Sequence, residues 1–239
     1  SIKERNIPLI LLNARITHKT FYRWSKINFF SKSIFSLIDV AYPQNNETKI
    51  FLKKLNVSNL KKIGNLKYIE NDDFEDNKID KKLFSQFKKY KTFVAASTHE
   101  TEEIFAAKTH QLLKKNNKNL ITIIIPRHIN RVDQIIDDIK KLKLNVITRS
   151  SNNKNLSKVD IFIVDTFGES KKFYKIATSV FLGGSMICKG GQNPLEPARF
   201  GAKILHGPDV DNFKEVYRYL DLLKISSKVK NPLQCANSI

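Results

Sequence analysis

The residues best suited to chemistry lie in five short polar or glycine-rich segments that follow apolar runs or one another. Arginine presents a forked, permanently charged donor to a phosphate or carboxylate, and bare glycine amides can surround an anion. This combination is typical of a site for a phosphorylated sugar or a nucleotide. The segments are STHETEE (97–103), PRH (126–128), DTFGES (165–170), GGS (183–185) and GGQNPLEP (190–197).

Two of these segments carry groups suited to a sugar nucleotide. Gly168 permits close backbone approach, and Glu169 can accept hydrogen bonds from ribose hydroxyls. Asn193 is a good N-cap and Pro194 suits the first helical position, so free amides of a predicted helix face the glycine-rich turn. Glu196, in the first turn of that helix, is placed to hold a sugar hydroxyl.

Each segment taken alone also has an ordinary structural interpretation. Ser97 or Thr98 can cap a helix, with Glu102 near the capping-box position. Arg127 is as readily a solvated loop residue, and Glu196 is as readily a carboxylate that complements a helix dipole. The functional interpretation gains weight because the segments share one edge of one predicted sheet.

An alternation of apolar runs with helix-like stretches predicts the elements that position these segments. This order is typical of a parallel sheet covered by helices, and near-continuous apolar runs indicate burial of both sheet faces. Ligands bind such a sheet at the carboxyl ends of its strands. Strands are predicted at 92–96, 120–125, 144–148, 160–164, 179–182 and 203–205, and helices at 101–115, 130–141, 170–177, 195–200 and 212–223.

Residues 1–69 predict a separate set of elements, followed by a polar, charged stretch, ENDDFEDNKID, at 70–80. That stretch predicts a linker over 70–90 between a first domain, 1–69, and a second, 91–239. The predicted elements of the first domain are strands at 7–12 (buried), 37–41 and 64–68, and helices at 20–35 and 47–55.

Composition narrows the classes of protein. Hydrophobic residues make up 41% of the 239 residues, which excludes a disordered tail. The net charge of +19 excludes an acidic binding protein and favours anionic partners, namely nucleic acid, phosphorylated small molecules or an anionic membrane surface. Two cysteines exclude a disulfide framework. No apolar run approaches the roughly 18–20 residues that span a bilayer.

Several well-known sites are missing from the sequence. The five histidines are scattered and no CxxC or HxxxH spacing occurs, so no metal site is expected. No GxxxxGK[ST] loop or GxSxG elbow is present, which argues against a P-loop NTPase and an α/β-hydrolase.

The five segments together resemble the 3-deoxy-D-manno-octulosonic acid (Kdo) transferases of lipopolysaccharide synthesis. Their order and spacing match, as do NARIT (13–17), YPQ (42–44) and GNLKY (64–68), and GGxNPLEPA is the most specific element. The sequence departs from the family pattern at Thr101, where glycine is usual, and at Gln192, where histidine is usual.

The resemblance implies a fold, an activity and a set of site residues. The fold would be GT-B, with two Rossmann-like domains, the first incomplete here, and the activity an inverting, metal-independent glycosyl transfer. CMP-Kdo would be the donor substrate, with no cofactor and no metal. The residues that match the family's substrate-binding segments are Ser97, His99, Glu102, Arg127, His128, Gly168, Glu169, Gly184, Ser185, Asn193 and Glu196.

The resemblance also implies the setting of the reaction. The acceptor would be a phosphorylated lipid A precursor, lipid IVA, at the cytoplasmic face of the inner membrane. The general-base glutamate of the family would lie upstream of this chain, which would be a piece of the enzyme that lacks most of its first domain and its C-terminal end. No catalytic residue is therefore expected within 1–239.

The residues leave two other functions open. Another GT-B enzyme that uses a UDP-sugar would have similar strand-end loops. A basic nucleic-acid-binding protein would explain the charge of +19, although no RRM, KH, helix-turn-helix or zinc-finger signature is present.

The basic aromatic stretch at 20–35 has two interpretations as well. Its aromatic side chains can enter a membrane interface while Arg23, Lys26 and Lys32 meet anionic headgroups. Equally, the aromatic side chains can face the core of the first domain.

Overall fold

The computed structural model describes residues 5–61, 81–152 and 155–239. The chain divides into two compact units, Ser1–Asp72 and Asp73–Ile239. Separate hydrophobic clusters lie within each unit, so each is described by itself. The predicted strand at 64–68 and the polar stretch at 70–80 lie outside the described residues.

In the described part of the first unit, three helices accompany a pair of parallel strands. Thr17 and Asn45 cap the first and third helices, because their side-chain oxygens accept hydrogen bonds from the backbone N–H groups of Thr20 and Thr48. Leu52 of the third helix is fully buried in the core. The elements are β1 (Ile10–Ala14), α1 (His18–Ser25), α2 (Asn28–Phe35), β2 (Val40–Pro43) and α3 (Asn46–Lys54).

The stretch 20–35 forms two helices where the sequence predicts one. The helices α1 and α2 are separated at Lys26 and Ile27. At the break, Ser25 Oγ donates to the carbonyl of Tyr22 at 2.8 Å. Serine hydroxyls compete in this way with the helical backbone, which favours a helix end.

The first strand is less buried than its apolar run predicts. It begins at Ile10, and the side chains of Ile10 and Leu12 are more than half exposed. Within the described residues, β1 pairs with β2 alone, and the hydrophobic cluster contacts it through Leu11 and Ala14. The prediction of a buried strand at 7–12 is therefore wrong for that face of the strand.

The second unit contains a seven-stranded parallel sheet, which confirms the predicted architecture. All six predicted strands are present. The seventh strand, β9, is not predicted, because its sequence, SSK, is short and polar and contains no apolar run; it lies at the edge of the sheet. The strands are β3 (Lys91–Thr98), β4 (Leu120–Pro126), β5 (Val146–Thr148), β6 (Ile161–Ile163), β7 (Ser179–Leu182), β8 (Lys203–His206) and β9 (Ser226–Lys228).

Helices cover both faces of this sheet. Along β3, Val94 and Ala96 belong to one buried cluster, whereas Phe93 and Ala95 belong to the other. This alternation follows from the two-residue repeat of a strand and confirms that both faces are buried. The helices are α4 (Lys81–Phe87), α5 (Glu102–Lys114), α6 (Val132–Lys140), α7 (Ser170–Tyr174), α8 (Leu195–Arg199), α9 (Lys214–Leu222) and α10 (Pro232–Asn237).

Helix α4 lies within the range 70–90 that the sequence predicts as linker. Leu83 and Phe87 are buried in the core of the second unit, and the Phe87 ring packs edge-on against Phe162 of β6. Residues 81–87 are therefore packed structure, since two of their apolar side chains have a hydrophobic cluster to join.

The strand order β5-β6-β4-β3-β7-β8-β9 places the direction change of the chain between β3 and β7. The chain moves outward from β3 to β4 on one side and later returns to β7 on the other. In open α/β sheets, the crevice outside the carboxyl ends of two such strands is where ligands bind. The segments 97–103 and 183–185 leave β3 and β7 at this crevice.

Candidate functional site

The backbones that leave β3 and β7 run in direct contact. Gly183 N–H donates to the carbonyl of Ala96 at 2.8 Å. A Cβ atom at Gly183 would lie 2.3 Å from the carbonyl oxygen of Ser97 and 2.7 Å from Thr98 Cα. Only glycine permits this approach, so the close contact of the two loops explains the glycine.

The side chain of Glu102 links the same two loops. Its side chain is fully buried. Its carboxylate accepts hydrogen bonds from the backbone N–H groups of His99 (2.9 Å), Gly184 (2.7 Å) and Met186 (3.0 Å). The sequence places Glu102 among the substrate-binding residues, whereas the structure uses both of its oxygens to hold backbone.

The start of α5 differs from the predicted cap. The helix begins at Glu102, and its N-cap is Thr101, in the left-handed region at φ +76° and without a side-chain cap bond. Ser97, also at positive φ, lies near the end of β3. Neither Ser97 nor Thr98 is the N-cap, because both belong to β3, which ends three residues before the cap at Thr101.

Polar side chains approach Gly184 at the crevice. The rings of His99 and His128 lie edge-to-face with centroids 5.6 Å apart. A Cβ at Gly184 would lie 3.3 Å from Lys189 Cβ, 3.5 Å from Gln192 Nε2 and 3.6 Å from His99 Cδ2. The three side chains thus converge on one backbone position that carries no side chain of its own.

Arg127 belongs to the same cluster. Its backbone N–H donates to the carbonyl of Thr98 at 2.9 Å, and its side chain is exposed. Burial, and next the charge of His128, lower the pKa of His99 below its ordinary value; the charge of Glu103 opposes this, and the charges of Lys189 and Arg127 lower the pKa further. Arg127, His128 and Lys189 therefore lie close enough to His99 to act on its charge, and such a group of basic side chains attracts an anion.

The loop after Gly184 is held by the segment that follows β8. Gly190 N–H donates to Asp209 Oδ2 at 2.7 Å, and Asn212 Nδ2 donates to the carbonyl of Lys189 at 2.9 Å. Ser185, predicted to bind substrate, is fully buried; its hydroxyl donates to the carbonyl of Leu182 and accepts from Gly207 N–H. Ser185 therefore shapes the turn with its side chain.

Helix α8 begins at Leu195, as the predicted range 195–200 gives, but its cap differs from the predicted Asn193. Its N-cap is Pro194, and Asn193 Oδ1 accepts a hydrogen bond from Leu195 N–H at 3.1 Å. Glu196 is half-buried in the first turn. Burial, and next the charge of Glu196, raise the pKa of Tyr174, so the carboxylate lies near α7 as well as at the helix start.

The segment after β6 places Gly168 and Glu169 farther along the same sheet edge. Gly168 is exposed at φ +75° with open space around its Cα. Burial would raise the pKa of Glu169, but hydrogen bonds from Thr166 and Lys172 and the charge of Arg149 lower it overall. The Lys172 Nζ to Glu169 Oε1 distance is 3.0 Å, so Glu169 sits in a network of cations.

The structure thus brings His99, Arg127, His128 and Gly184 together. Glu102 and Ser185 are fully buried, and their side chains bond to backbone groups. That Gly168, Glu169, Asn193 and Glu196 line the same cleft stays a prediction. Sequence reasoning missed Lys189, whose position between two glycine pairs, GGSMICKGG, is the signal that points to it.

In 5–61, 81–152 and 155–239, no group of three or more His, Cys, Asp or Glu side chains is arranged to hold a metal ion. Within the same ranges, no helix has the length and apolarity to cross a membrane.

Comparison with known proteins points to one family. Residues 1–70 match the family model described as 3-deoxy-D-manno-octulosonic-acid transferase (kdotransferase). The chain is also 33% identical over 226 residues to the 3-deoxy-D-manno-octulosonic acid transferase of Haemophilus influenzae, a match that covers 90% of the chain and 51% of that relative. Both matches support the Kdo transferase family for this chain. It spans about half the length of the curated relatives it matches.

Solved structures agree with this membership at the level of the fold. The C-terminal CMP-Kdo binding domain of WaaA from Acinetobacter baumannii has a TM-score of 0.61 at 23% identity, over 66% of this chain and 84% of that chain. A UDP-N-acetylglucosamine 2-epimerase from Listeria monocytogenes has a TM-score of 0.54 at 9% identity, over 99% of this chain and 58% of that chain. The predicted GT-B fold class is confirmed for this chain.

Proposed function

We propose that this chain contributes the donor-binding part of a Kdo transferase, with CMP-Kdo as the donor. The observation that carries the proposal is the basic cluster of His99, Arg127, His128 and Lys189 around Gly184, at the crevice between β3 and β7. A nucleoside monophosphate ester of a sugar acid carries two anionic groups, and this crevice offers several cationic or neutral donors at close range. The A. baumannii domain of similar fold is described as binding CMP-Kdo.

The same arrangement suits the chemistry of glycosyl transfer. When the glycosidic bond breaks, CMP leaves and negative charge grows on its phosphate. Preorganised donors lower the energy of such a transition state. Arg127 supplies a fixed positive charge, and the His99 ring, with its lowered pKa, supplies a neutral donor or acceptor. We propose an inverting transfer that needs no metal and no cofactor.

The proposed acceptor is lipid IVA, a phosphorylated lipid A precursor, at the cytoplasmic face of the inner membrane. The first unit supports this through α1 and α2. Phe21, Trp24 and Phe35 pack against the core of the unit, whereas Phe29 is 90% exposed and Phe30 is 60% exposed. Each of the two interpretations of this stretch therefore describes a different set of its aromatic side chains.

The exposed set predicts binding to an anionic membrane surface. Arg23 of α1, Lys26 in the break between the helices and Lys32 of α2 are exposed, as are Phe29 and Phe30 of α2. Replacing the three cations by glutamine is expected to weaken binding to vesicles that contain phosphatidylglycerol by at least tenfold, since each cation near such a surface contributes about 1 kcal/mol. Vesicle co-sedimentation measures the effect.

A matched triple variant is the control for that experiment. Lys49, Lys53 and Lys61 are exposed in the same unit but lie on α3 and the segment after it. Their replacement by glutamine removes the same charge and is expected to change binding by less than threefold. Equal losses in both triple variants, or binding that ignores the anionic lipid, would contradict the prediction.

Calorimetric titration of the chain separates the proposed donor from its rivals. We expect CMP to bind at least tenfold more tightly than UDP, and duplex DNA to bind little at physiological salt. Tighter binding of UDP than of CMP would overturn the proposal in favour of a UDP-sugar enzyme. Tight DNA binding with the steep salt dependence of phosphate contacts would overturn it in favour of a nucleic-acid-binding protein.

A further inference from the structure

We propose that Glu102 is the positioning residue of the crevice, which holds the loops after β3 and β7 in register without touching the ligand. The inference rests on the proposed function, because these loops are the ones proposed to hold the nucleotide sugar. It assigns Glu102 a role different from the substrate contact that the family resemblance implies.

The contacts of Glu102 connect the loop after β3 with the loop after β7. One carboxylate oxygen, Oε2, accepts from His99 N–H and from Gly184 N–H, which belong to different loops. The other oxygen, Oε1, accepts from Met186 N–H. Gly184 and Met186 follow β7 and lie more than 80 residues away along the chain. One side chain thus fixes three backbone donors on both sides of the crevice.

Burial excludes direct ligand contact by this side chain. Glu102 has 0% of its surface exposed, and both oxygens face backbone donors. What the carboxylate does control is placement, because Gly184 is the backbone position on which His99, Lys189 and Gln192 converge. A shift of either loop separates the His99 ring from Gly184 and opens the site.

Conservative substitution distinguishes this role from simple filling of space. In E102Q the side chain keeps its size, but one oxygen becomes an NH2 donor. Either orientation of the amide sets that NH2 against at least one backbone N–H, so one or two of the three hydrogen bonds are lost. In E102A all three are lost.

Asp160, which lies at the amino ends of the strands, offers a control. It precedes β6, accepts a hydrogen bond from Asn145 N–H at 3.0 Å and pairs with Lys114 at 3.2 Å. D160N therefore removes a comparable carboxylate that holds backbone, at the amino ends of the strands. Thermal unfolding of E102Q and D160N shows how far each variant is destabilised.

Two measurements on the folded chain test the proposal. In the absence of ligand, the amide proton resonances of His99, Gly184 and Met186 are expected to shift in E102Q and to stay in place in D160N. With CMP, E102Q is expected to bind about tenfold more weakly than the unsubstituted chain, and D160N within twofold of it. E102A, if it folds, is expected to lose more affinity than E102Q.

The outcomes separate this proposal from the proposed function. Unchanged amide resonances in E102Q, or unchanged CMP affinity in E102Q, would overturn the positioning role. If the unsubstituted chain does not bind CMP, the proposed donor is wrong, and the amide resonances alone decide whether Glu102 holds the two loops.

Discussion

Replacing Arg127 by alanine is expected to weaken CMP binding by about ten- to hundredfold while leaving the fold intact. A hydrogen bond to a charged group contributes roughly 1.5–3 kcal/mol, and each 1.4 kcal/mol is tenfold in affinity. The side chain is exposed, so its removal leaves no cavity. Its backbone N–H to Thr98 is retained in the variant. Calorimetric titration with CMP measures the loss.

The control for R127A is a cation at the amino end of a strand in the same sheet. Lys91 is exposed and begins β3, whereas the crevice lies at the carboxyl end of that strand. K91A removes one positive charge and is expected to change CMP affinity by less than twofold. Similar losses in the two variants would show that CMP responds to overall charge and not to a site at Arg127.

Gly183→Ala is expected to have the largest effect on both the fold and the site. The added methyl would lie 2.3 Å from the carbonyl oxygen of Ser97, and the atoms it meets are backbone. Overpacking a well-packed region costs typically 1–3 kcal/mol of unfolding free energy. Relief requires β7 to move away from β3, so we expect CMP binding to fall below detection. Chemical denaturation and titration measure the two effects.

Gly201→Ala is the matched control for G183A. Gly201 also follows an element of the second unit and has φ +78°, but its Cβ would meet nothing within 4 Å. An alanine there is expected to lower the free energy of unfolding by about 1–2 kcal/mol, because its backbone must adopt the left-handed conformation. CMP affinity is expected to stay within twofold. A G183A variant that binds CMP normally would contradict the close contact of the two loops.

The sheet of the second unit was predictable because its strands are strong local signals. Runs such as LITIII at 120–125 are apolar throughout, and the spacing between runs leaves room for helices. The strand β9, with the sequence SSK, carries no such signal; it forms because β8 offers an open edge, with Ile204 paired to Ser226. At the break that divides 20–35 into two helices, Ser25 Oγ donates to the carbonyl of Tyr22, a contact that the apolar pattern does not indicate.

The site was predictable as a set of loops but not as a set of contacts. Sequence order places Glu102 and Gly184 far apart, so nothing local indicates that the carboxylate accepts the N–H of that glycine. The same holds for Ser185, whose hydroxyl is engaged by Gly207. Such roles follow from the packing of two loops against each other, and a residue type alone fits ligand contact as well as loop support.

Mapping CMP onto the chain by backbone amide NMR tests the central claim most directly. On titration with CMP, we expect the largest shifts at His99, Arg127 and Gly184, in the crevice between β3 and β7. The cavity of about 400 Å³ at the other end of the sheet, lined in part by Lys91 and Asn116, is expected to stay unchanged. Shifts concentrated in that cavity, or no shifts at a saturating concentration of CMP, would contradict a donor site at the crevice.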